Sequence, residues 1–426
     1  MMRVAVLGLG YVGLTTAIGM GKLGHQVLGF DVDVNKVRML SKGASPIFEE
    51  GLDQALVSLI DSENLNFTEQ LESLRDFKPE YLFICVATPQ DESGDADLSI
   101  LFSVVTQMAS IAPKDAILVV KSTVPVGTGR RILESIKRDD VAVVSNPEFL
   151  REGTAIKDFL EPDRIVVGSD SSESAERVLA LYADIDAPKV KTGLESSELI
   201  KYAANAYLAM RLSFTNDMAA LAENTNANVD EVLRGMGLDK RIGSSFLKPG
   251  PGWGGSCFPK DTNALLALAK NYGSPLPLVE STIASNRAAL ARSVDVIKKL
   301  VGGNLTNKTI AVWGVAFKAD TDDVRDSPAL KIIQSLLNAG AIVKAYDPVA
   351  LAPDQSGLSR SSSALDAVAG ADLLAVLTEW PEFAEVPAEV VAAAMNQSII
   401  FDARRILPES WKSHVSLFKA IGEPNK

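Results

Sequence analysis

The sequence predicts an α/β protein in which two doubly wound, parallel-sheet domains are joined by a central helical domain built on one long spine helix. Three observations carry this. Short β-rich runs (RVAVLGLG, QVLGFDVD, YLFICVATP, AILVVKSTV, VAVVSNPEF, RIVVGS) alternate with amphipathic segments through the first half of the chain, the rhythm of βαβ units. From Ser196, apolar residues recur at helical spacing, at Leu199, Ala203, Tyr207, Met210, Phe214, Met218 and Leu221, which predicts a helix of about seven turns. From Thr309 the βαβ rhythm resumes with TIAVWGVAF, AIVKAYDP, DLLAVLTEW and SIIFDARR. The expected domains are 1–195, 196–300 and 301–426, and the last residues, GEPNK, read as a frayed tail.

The chain has 426 residues, 47% hydrophobic and 23% charged, which suits a globular protein of two or three domains. A net charge of -12 argues against a nucleic-acid or acidic-membrane partner, because phosphate backbones need a basic face. Cys85 and Cys257 are the only cysteines, His25 and His414 the only histidines. That scarcity points to a reducing compartment, by default the cytoplasm, and leaves neither a metal site nor a histidine triad enough material. Val4 to Gly21 is uncharged for 18 residues, but five of them are glycines placed where a strand, turn and helix need them for nucleotide binding. No signal or membrane anchor is expected from it.

Gly8-Leu-Gly10-Tyr-Val-Gly13 follows the strand RVAVL and opens a helical stretch, and Asp31 ends the next strand 18 residues after Gly13. In that context Gly8 allows the tight turn, Gly10 lets a pyrophosphate approach the backbone, and Gly13 lets helix and strand pack closely. Asp31 accepts ribose hydroxyls and repels a 2′-phosphate, so NAD is expected rather than NADP. FAD shares the glycine pattern and is set aside only by the thiol chemistry that follows.

Cys257 lies in KPGPGWGGSCFPKDTNALLALA, after a loop with Gly250, Gly252, Gly254 and Gly255, and with Pro259 just inside a predicted helix. The helix N-terminus and Lys260 favour the thiolate, the form that attacks a carbonyl carbon, and glycine N–H groups can support an oxyanion. An isolated cysteine is more often a small buried hydrophobe. Cys85, inside the apolar strand YLFICV, is read that way.

Three further stretches carry candidates that, taken alone, also read as ordinary surface. Lys201 and Asn205 stand one turn apart on the spine helix, which by itself describes a solvated lysine beside a surface asparagine. STVPVGTG (122–129) and SNPEFLREGTA (145–155) follow β-rich runs, at strand ends where doubly wound folds bind ligands; Thr123, Glu148 and Glu152 are candidates there, and Arg151 could simply pair with either glutamate. Lys318 and Arg325 precede a helix start at Asp326, Ser327 and Pro328, suiting a diphosphate, but Asp320, Asp322, Asp323 and Asp326 could neutralise them.

In order, GLGYVG, KSTVPVGT, SNPEFLREG, ELIKYAANAYLA, GPGWGGSCFPKDTNAL and GVAFKADTDDVRDSP closely resemble the UDP-glucose/GDP-mannose dehydrogenase family over nearly the whole chain. The resemblance implies two Rossmann-like domains and a four-electron, NAD-dependent oxidation at C6 of a nucleotide sugar, with Cys257 as the nucleophile that captures the aldehyde. It implies that Lys201 and Asp261 polarise oxyanions and assist proton transfer, that Asn205 binds substrate and oxyanion, and that Thr123, Glu148 and Glu152 position water. Implied cofactor contacts are Val12, Asp31, Lys36, Thr88, Thr123, Glu152, Lys260 and Arg325. Implied substrate contacts are Phe149, Leu150, Arg151, Glu152, Lys201, Asn205, Phe246, Leu247, Lys248, Pro249, Gly250, Gly254 and Lys318, with Arg241 reaching the sugar of a neighbouring subunit and hence a homodimer. Trp253 departs from the family's smaller residue, and Asp402-Ala403-Arg404-Arg405 from its Asp-Gly-Arg-Asn.

SCFPKDTNAL resembles the branch acting on UDP-glucose more than those acting on GDP-mannose or N-acetylmannosamine nucleotides, so UDP-glucose is the expected substrate. GDP-mannose or another nucleotide sugar is the alternative within the family. The alternative from another class is a non-catalytic NAD-binding regulator with Cys257 as a redox sensor.

Overall fold

The computed structural model describes residues 1–91 and 94–424 and divides into two compact units, Met1–Ala204 with Asn263–Ser274 and Asn205–Thr262 with Pro275–Lys426. Residues 196–300 are apportioned between the two.

The first unit runs β1 (Arg3–Leu7), α1 (Tyr11–Lys22), β2 (Gln26–Phe30), α2 (Val34–Leu40), α3 (Leu52–Asp61), β3 (Leu65–Thr68), α4 (Leu71–Phe77), β4 (Tyr81–Ile84), α5 (Ser99–Ile111), β5 (Ile117–Val120), α6 (Thr128–Ile136), β6 (Ala142–Ser145), α7 (Ala155–Leu160), β7 (Ile165–Gly168), α8 (Ser172–Ala180), β8 (Lys189–Thr192) and the start of α9 (Leu194–Thr225). Its sheet has the order β3-β2-β1-β4-β5-β6-β7-β8. The inner strands are buried on both faces, whereas the edge strand β8 is largely exposed; inner side chains alternate between two cores, Val4 and Val6 of β1 entering one and Ala5 and Leu7 the other. The sheet departs from the predicted all-parallel form at one place, where β6 and β7 pair antiparallel through Ser145 and Gly168. The chain therefore turns back beside β6 without crossing over. That keeps residues 146–164 at the carboxyl end of β6, the end at which open α/β sheets bind ligands.

The second unit holds the rest of α9, then α10 (Val229–Gly237), the start of α11 (Phe258–Asn271), α12 (Pro277–Leu300), β9 (Thr309–Trp313), α13 (Pro328–Asn338), β10 (Ile342–Tyr346), β11 (Leu358–Arg360), α14 (Ala364–Val368), β12 (Leu373–Val376), α15 (Glu382–Glu385), α16 (Ala388–Ala394), β13 (Ile399–Asp402) and β14 (Leu417–Ala420). Its sheet, β11-β10-β9-β12-β13-β14, is parallel throughout. In both sheets the strand order reverses beside the first strand, between β1 and β4 and between β9 and β12, the crevice position of doubly wound folds.

The predicted spine helix is longer than expected, 32 residues. The expected frayed tail is packed as far as Pro424: Gly422 N–H donates to Glu223 at 2.8 Å and Glu423 pairs with Lys412 at 2.8 Å. Asn425 and Lys426 lie outside the described residues. Among the described residues no helix is long and apolar enough to cross a membrane.

Candidate active site

At the start of the first unit, Gly8 adopts φ +86° and leads from β1 into α1. A Cβ on Gly13 would lie 1.8 Å from the Gly8 carbonyl oxygen, whereas one on Gly10 would meet nothing within 4 Å. The turn is thus closed on its inner side and open where a pyrophosphate must approach the backbone. Asp31 is buried and accepts from Leu9 N–H at 2.8 Å, Asp33 N–H at 3.0 Å and Lys36 Nζ at 2.8 Å. Burial opposes its ionisation, but Lys36 and the two N–H groups prevail and hold the carboxyl below the usual range. Lys36 therefore meets Asp31 directly.

The second unit repeats this turn with one difference. Gly314 N–H donates to Tyr346 O at 2.8 Å as Gly8 N–H donates to Phe30 O at 2.9 Å. Asp347 stands where Asp31 stands, but Val315 N–H, Ala316 N–H and Trp380 Nε1 all donate to its Oδ2, and Val349 and Ala350 N–H to its Oδ1. Five donors exhaust a carboxylate's acceptor sites. Asp31 keeps capacity for a ribose hydroxyl and Asp347 does not, so the residues present fit one dinucleotide, on the first unit.

Beyond β5 and β6, the first unit assembles a buried ion-pair network. Lys201 Nζ donates to Glu148 Oε1 at 2.7 Å, with both side chains almost fully buried, and Leu150 N–H donates to Glu148 Oε2 at 2.7 Å. Burial works against the Glu148 charge, yet Lys201, Leu150 and Lys121 outweigh it and lower its pKa. The solvated-lysine reading of Lys201 does not hold. Phe149 lies under the Arg164 guanidinium at 3.6 Å and 5.4 Å from Lys201 Nζ. Thr88 Oγ1 donates to the Thr123 carbonyl at 2.8 Å, joining two of the predicted cofactor contacts. Arg151 pairs with neither glutamate but with Asp158, through its Nε at 2.9 Å. Val12 lies in the first turn of α1, directly after Tyr11, and Glu152 in the loop before α7.

In the second unit, Asp261 N–H donates to the Cys257 carbonyl at 2.8 Å, so Cys257 stands at the N-terminus of α11 with its thiol half-buried. Asp261 is fully buried and accepts from Asn205 Nδ2 at 2.6 Å and Lys260 Nζ at 2.8 Å. The glycine loop before the cysteine is held rather than slack. A Cβ on Gly254 would lie 2.1 Å from the Asp326 carbonyl, and Gly250 N–H donates to Asn216 at 2.8 Å. Trp253 fits its place: it is buried, its indole N–H donates to Ser213 Oγ at 2.9 Å, and its backbone exchanges two hydrogen bonds with Asn286. Phe246 takes φ +58° at the head of the Phe246–Gly250 segment, in which Leu247, Pro249 and Gly250 are buried and Lys248 is exposed.

The loops that carry Lys318 and Arg325 border the same glycine loop: a Cβ on Gly255 would lie 2.8 Å from the Phe317 ring, as one on Gly254 meets Asp326. Arg241 is exposed and holds Asp239, and Arg325 holds Asp323 at 2.7 Å, as the acidic loop allows. Lys318 Nζ reaches the Ala319 carbonyl at 3.2 Å. The unusual Ala403-Arg404-Arg405 is explained locally: Ala403 is fully buried, and Arg405 is kept at φ +56° by its pair with Asp230 and a 2.7 Å bond to the Ile421 carbonyl. Arg404 bonds the Leu377 and Phe317 carbonyls at 2.8 and 3.1 Å and would stand 3.2 Å from a Cβ on Gly250.

Four groups escaped the sequence reading. Lys121 is buried, donates to Asn146 Oδ1 at 3.1 Å, and is pushed down to about 8 by burial and by the charge of Lys201 against the pull of Cys85 and Glu148. Asn146 also accepts from Tyr182 at 2.6 Å. Glu198 accepts from Gly127 and Gly129 N–H at 2.6 and 2.7 Å. Glu49 joins Tyr11 to Gly153 and Ala155. The signal for Lys121 was its place at the end of a predicted strand. Cys85 is buried and its thiol is pushed up to about 12 by burial, as expected of an inert core residue.

Three domains of the UDP-glucose/GDP-mannose dehydrogenase family match in chain order: the NAD binding domain over residues 2–186, the central domain over 195–288 and the UDP binding domain over 311–409. A UDP-glucose 6-dehydrogenase of Rhizobium meliloti (strain 1021) is 42% identical, with both chains covered in full. A UDP-glucose dehydrogenase from the archaeon Pyrobaculum islandicum superimposes with a TM-score of 0.91 at 33% identity over 99% of this chain and 98% of that one. A UDP-D-ManNAc dehydrogenase from Pyrococcus horikoshii gives 0.89 at 29% identity over 99% of each.

Proposed function

Because the chain belongs to the UDP-glucose/GDP-mannose dehydrogenase family, we propose that it oxidises C6 of UDP-glucose twice, to UDP-glucuronate, with Cys257 holding the carbon between the two oxidations. The observation that carries this reading is Cys257 at the head of α11, one turn before the buried Asp261–Asn205 pair, in a chain that also has an open dinucleotide turn. A one-step alcohol dehydrogenase has no use for such a thiol.

The Gly8–Gly13 turn and Asp31 would hold NAD, which would supply the hydride acceptor for each of the two oxidations. Gly10 admits the pyrophosphate and Asp31 accepts the ribose hydroxyls. Cys257 Sγ adds to the C6 aldehyde, and the former carbonyl oxygen takes a proton to give a thiohemiacetal, which again carries a C–H bond. Its oxidation leaves a thioester. Water then adds to the thioester carbon and Sγ departs as thiolate, releasing the acid. Asn205 donates to the oxyanion, Asp261 holds Asn205 in place, and Lys201 supplies a second donor, this one positively charged, whose partner Glu148 fixes its position. Thr123, Glu148 and Glu152 orient the water. Lys260 and Arg325 act toward the cofactor, and Phe149–Glu152, Phe246–Gly250, Gly254 and Lys318 toward the nucleotide sugar.

Relatives from R. meliloti and P. islandicum act on UDP-glucose, and the SCFPKDTNAL motif supports the same choice. Purified protein assayed with NAD and a panel of nucleotide sugars should turn over UDP-glucose fastest and yield two NADH per sugar. Faster turnover of GDP-mannose, or one NADH with free aldehyde, would reject the assignment. The protein acts in the cytoplasm, where the thiol stays reduced. It acts as a homodimer joined through α9, whose Leu199, Tyr207, Phe214 and Leu221 are exposed at spacings of seven or eight residues, an apolar stripe that a second copy can cover about a twofold axis. Arg241, exposed in one subunit, would exchange its Asp239 partner for the sugar of the other.

A further inference from the structure

We infer that Glu49 is a positioning residue that clamps the loop carrying Glu152 to the dinucleotide turn, so that one contact sets the register of both. The inference rests on the roles proposed above for Gly10 and Glu152. Tyr11 is the first residue of α1, directly after Gly10. Its phenol donates to Glu49 Oε2, and the same oxygen accepts from Gly153 N–H at 2.8 Å. Gly153 N–H also reaches Tyr11 Oη at 2.9 Å. Glu49 Oε1 accepts from Ala155 N–H at 2.6 Å. One carboxylate thus takes up three donors from two segments, the turn into α1 and the loop into α7, whose helices also pack through Gly19 and Phe159.

The chemistry of the pair favours a permanent clamp. Burial and then the Glu49 carboxylate push the Tyr11 phenol well above its usual range, and the charge of Glu152 adds to the shift. The phenol therefore remains a donor. That Glu152 contributes also means its carboxylate lies within electrostatic reach of Tyr11. Glu152 is covalently next to the clamped Gly153 N–H, so its backbone cannot move without the clamp. Glu49 itself lies between α2 and α3, outside any regular element, and is half-buried. Its inward contacts account for an acidic side chain that its own segment gives no reason to bury.

The test is steady-state kinetics of the full-length enzyme with NAD and UDP-glucose, alongside Tm. Tyr11→Phe cuts only the tether to the turn and leaves Glu49 on both backbone donors. It should raise KM for NAD and lower kcat together, each by about threefold to tenfold, the loss of one hydrogen bond to a charged acceptor. KM for UDP-glucose and Tm should stay near wild type. Glu49→Gln places an amide N–H against a donor and should lose more, and the double variant should be no worse than Glu49→Gln alone. Wild-type constants for Tyr11→Phe overturn the inference, as do single effects that multiply in the double variant. A fall in Tm with an equal loss of affinity for UDP-glucose also overturns it, because that is general loosening. Glu152→Gln separates the two readings. If it slows turnover while Tyr11→Phe does not, the positioning role alone falls; if it turns over at the wild-type rate, the role proposed for Glu152 falls and the inference with it.

Discussion

Glu198 sits on α9 three residues before Lys201, 3% exposed, with its carboxylate on the Gly127 and Gly129 N–H groups at the start of α6. It fixes the end of STVPVGTG, the loop that carries Thr123, against the helix that carries Lys201. Burial pushes its pKa up to about 7 despite those two donors. For an acid the sign follows directly. Between its ordinary value near 4.5 and about 7, the folded chain holds a proton that the unfolded chain has released, so stability falls as pH rises through that window. Replacing Glu198 by Gln removes this contribution. Thermal melting of the two proteins from about pH 5 to about pH 8 should therefore show wild type losing ground to the variant as pH rises, and parallel profiles would contradict a raised Glu198. Lys121 carries the opposite strain: burial favours its neutral form, and it stays beside Glu148 because Asn146 and that carboxylate compensate.

At the scale of elements, α9 shows what a helical period reveals and what it leaves open. The spacing of Leu199, Ala203, Tyr207, Met210, Phe214, Met218 and Leu221 places them on one face, and they form one. Yet it is the outer one: Tyr207 is 53% and Leu221 54% exposed, while Tyr202, Ala206 and Ala209 are buried. Spacing identifies an apolar stripe without saying whether the chain's own core or a second copy covers it. Phe214→Arg tests the second copy. Light scattering should show the dimer giving way to monomer while the α/β units keep their circular dichroism; an unchanged dimer would refute an interface at Phe214. The antiparallel β7 shows a similar limit. Its apolar run is local and legible, but strand direction follows from how residues 146–164 return the chain, and no residue type signals that.

Across the molecule, the two doubly wound sheets were legible because each βαβ unit announces itself locally, by an apolar run, a glycine turn and an amphipathic helix. So were Gly8–Gly13, Asp31 and the cysteine at a helix start, whose meaning lies within about one supersecondary unit. The partners of those residues were not. Glu49 meets Gly153 at a separation of 104 residues, Lys201 meets Glu148 at 53, and Asn205 meets Asp261 at 56. Such contacts are fixed only when strands and helices pack, so nothing local in the sequence marks Lys121, Glu49 or Glu198 as part of the site. The repeated turn illustrates the same point: Asp31 and Asp347 end equivalent strands, and only Trp380 and four backbone donors around Asp347 reveal that one of the two is already saturated. The proposed oxidation turns on covalent capture at Cys257, and the most direct test is product analysis of Cys257→Ala incubated with UDP-glucose and NAD. It should bind NAD as wild type does and form no UDP-glucuronate, whereas undiminished acid formation would contradict a cysteine-held intermediate.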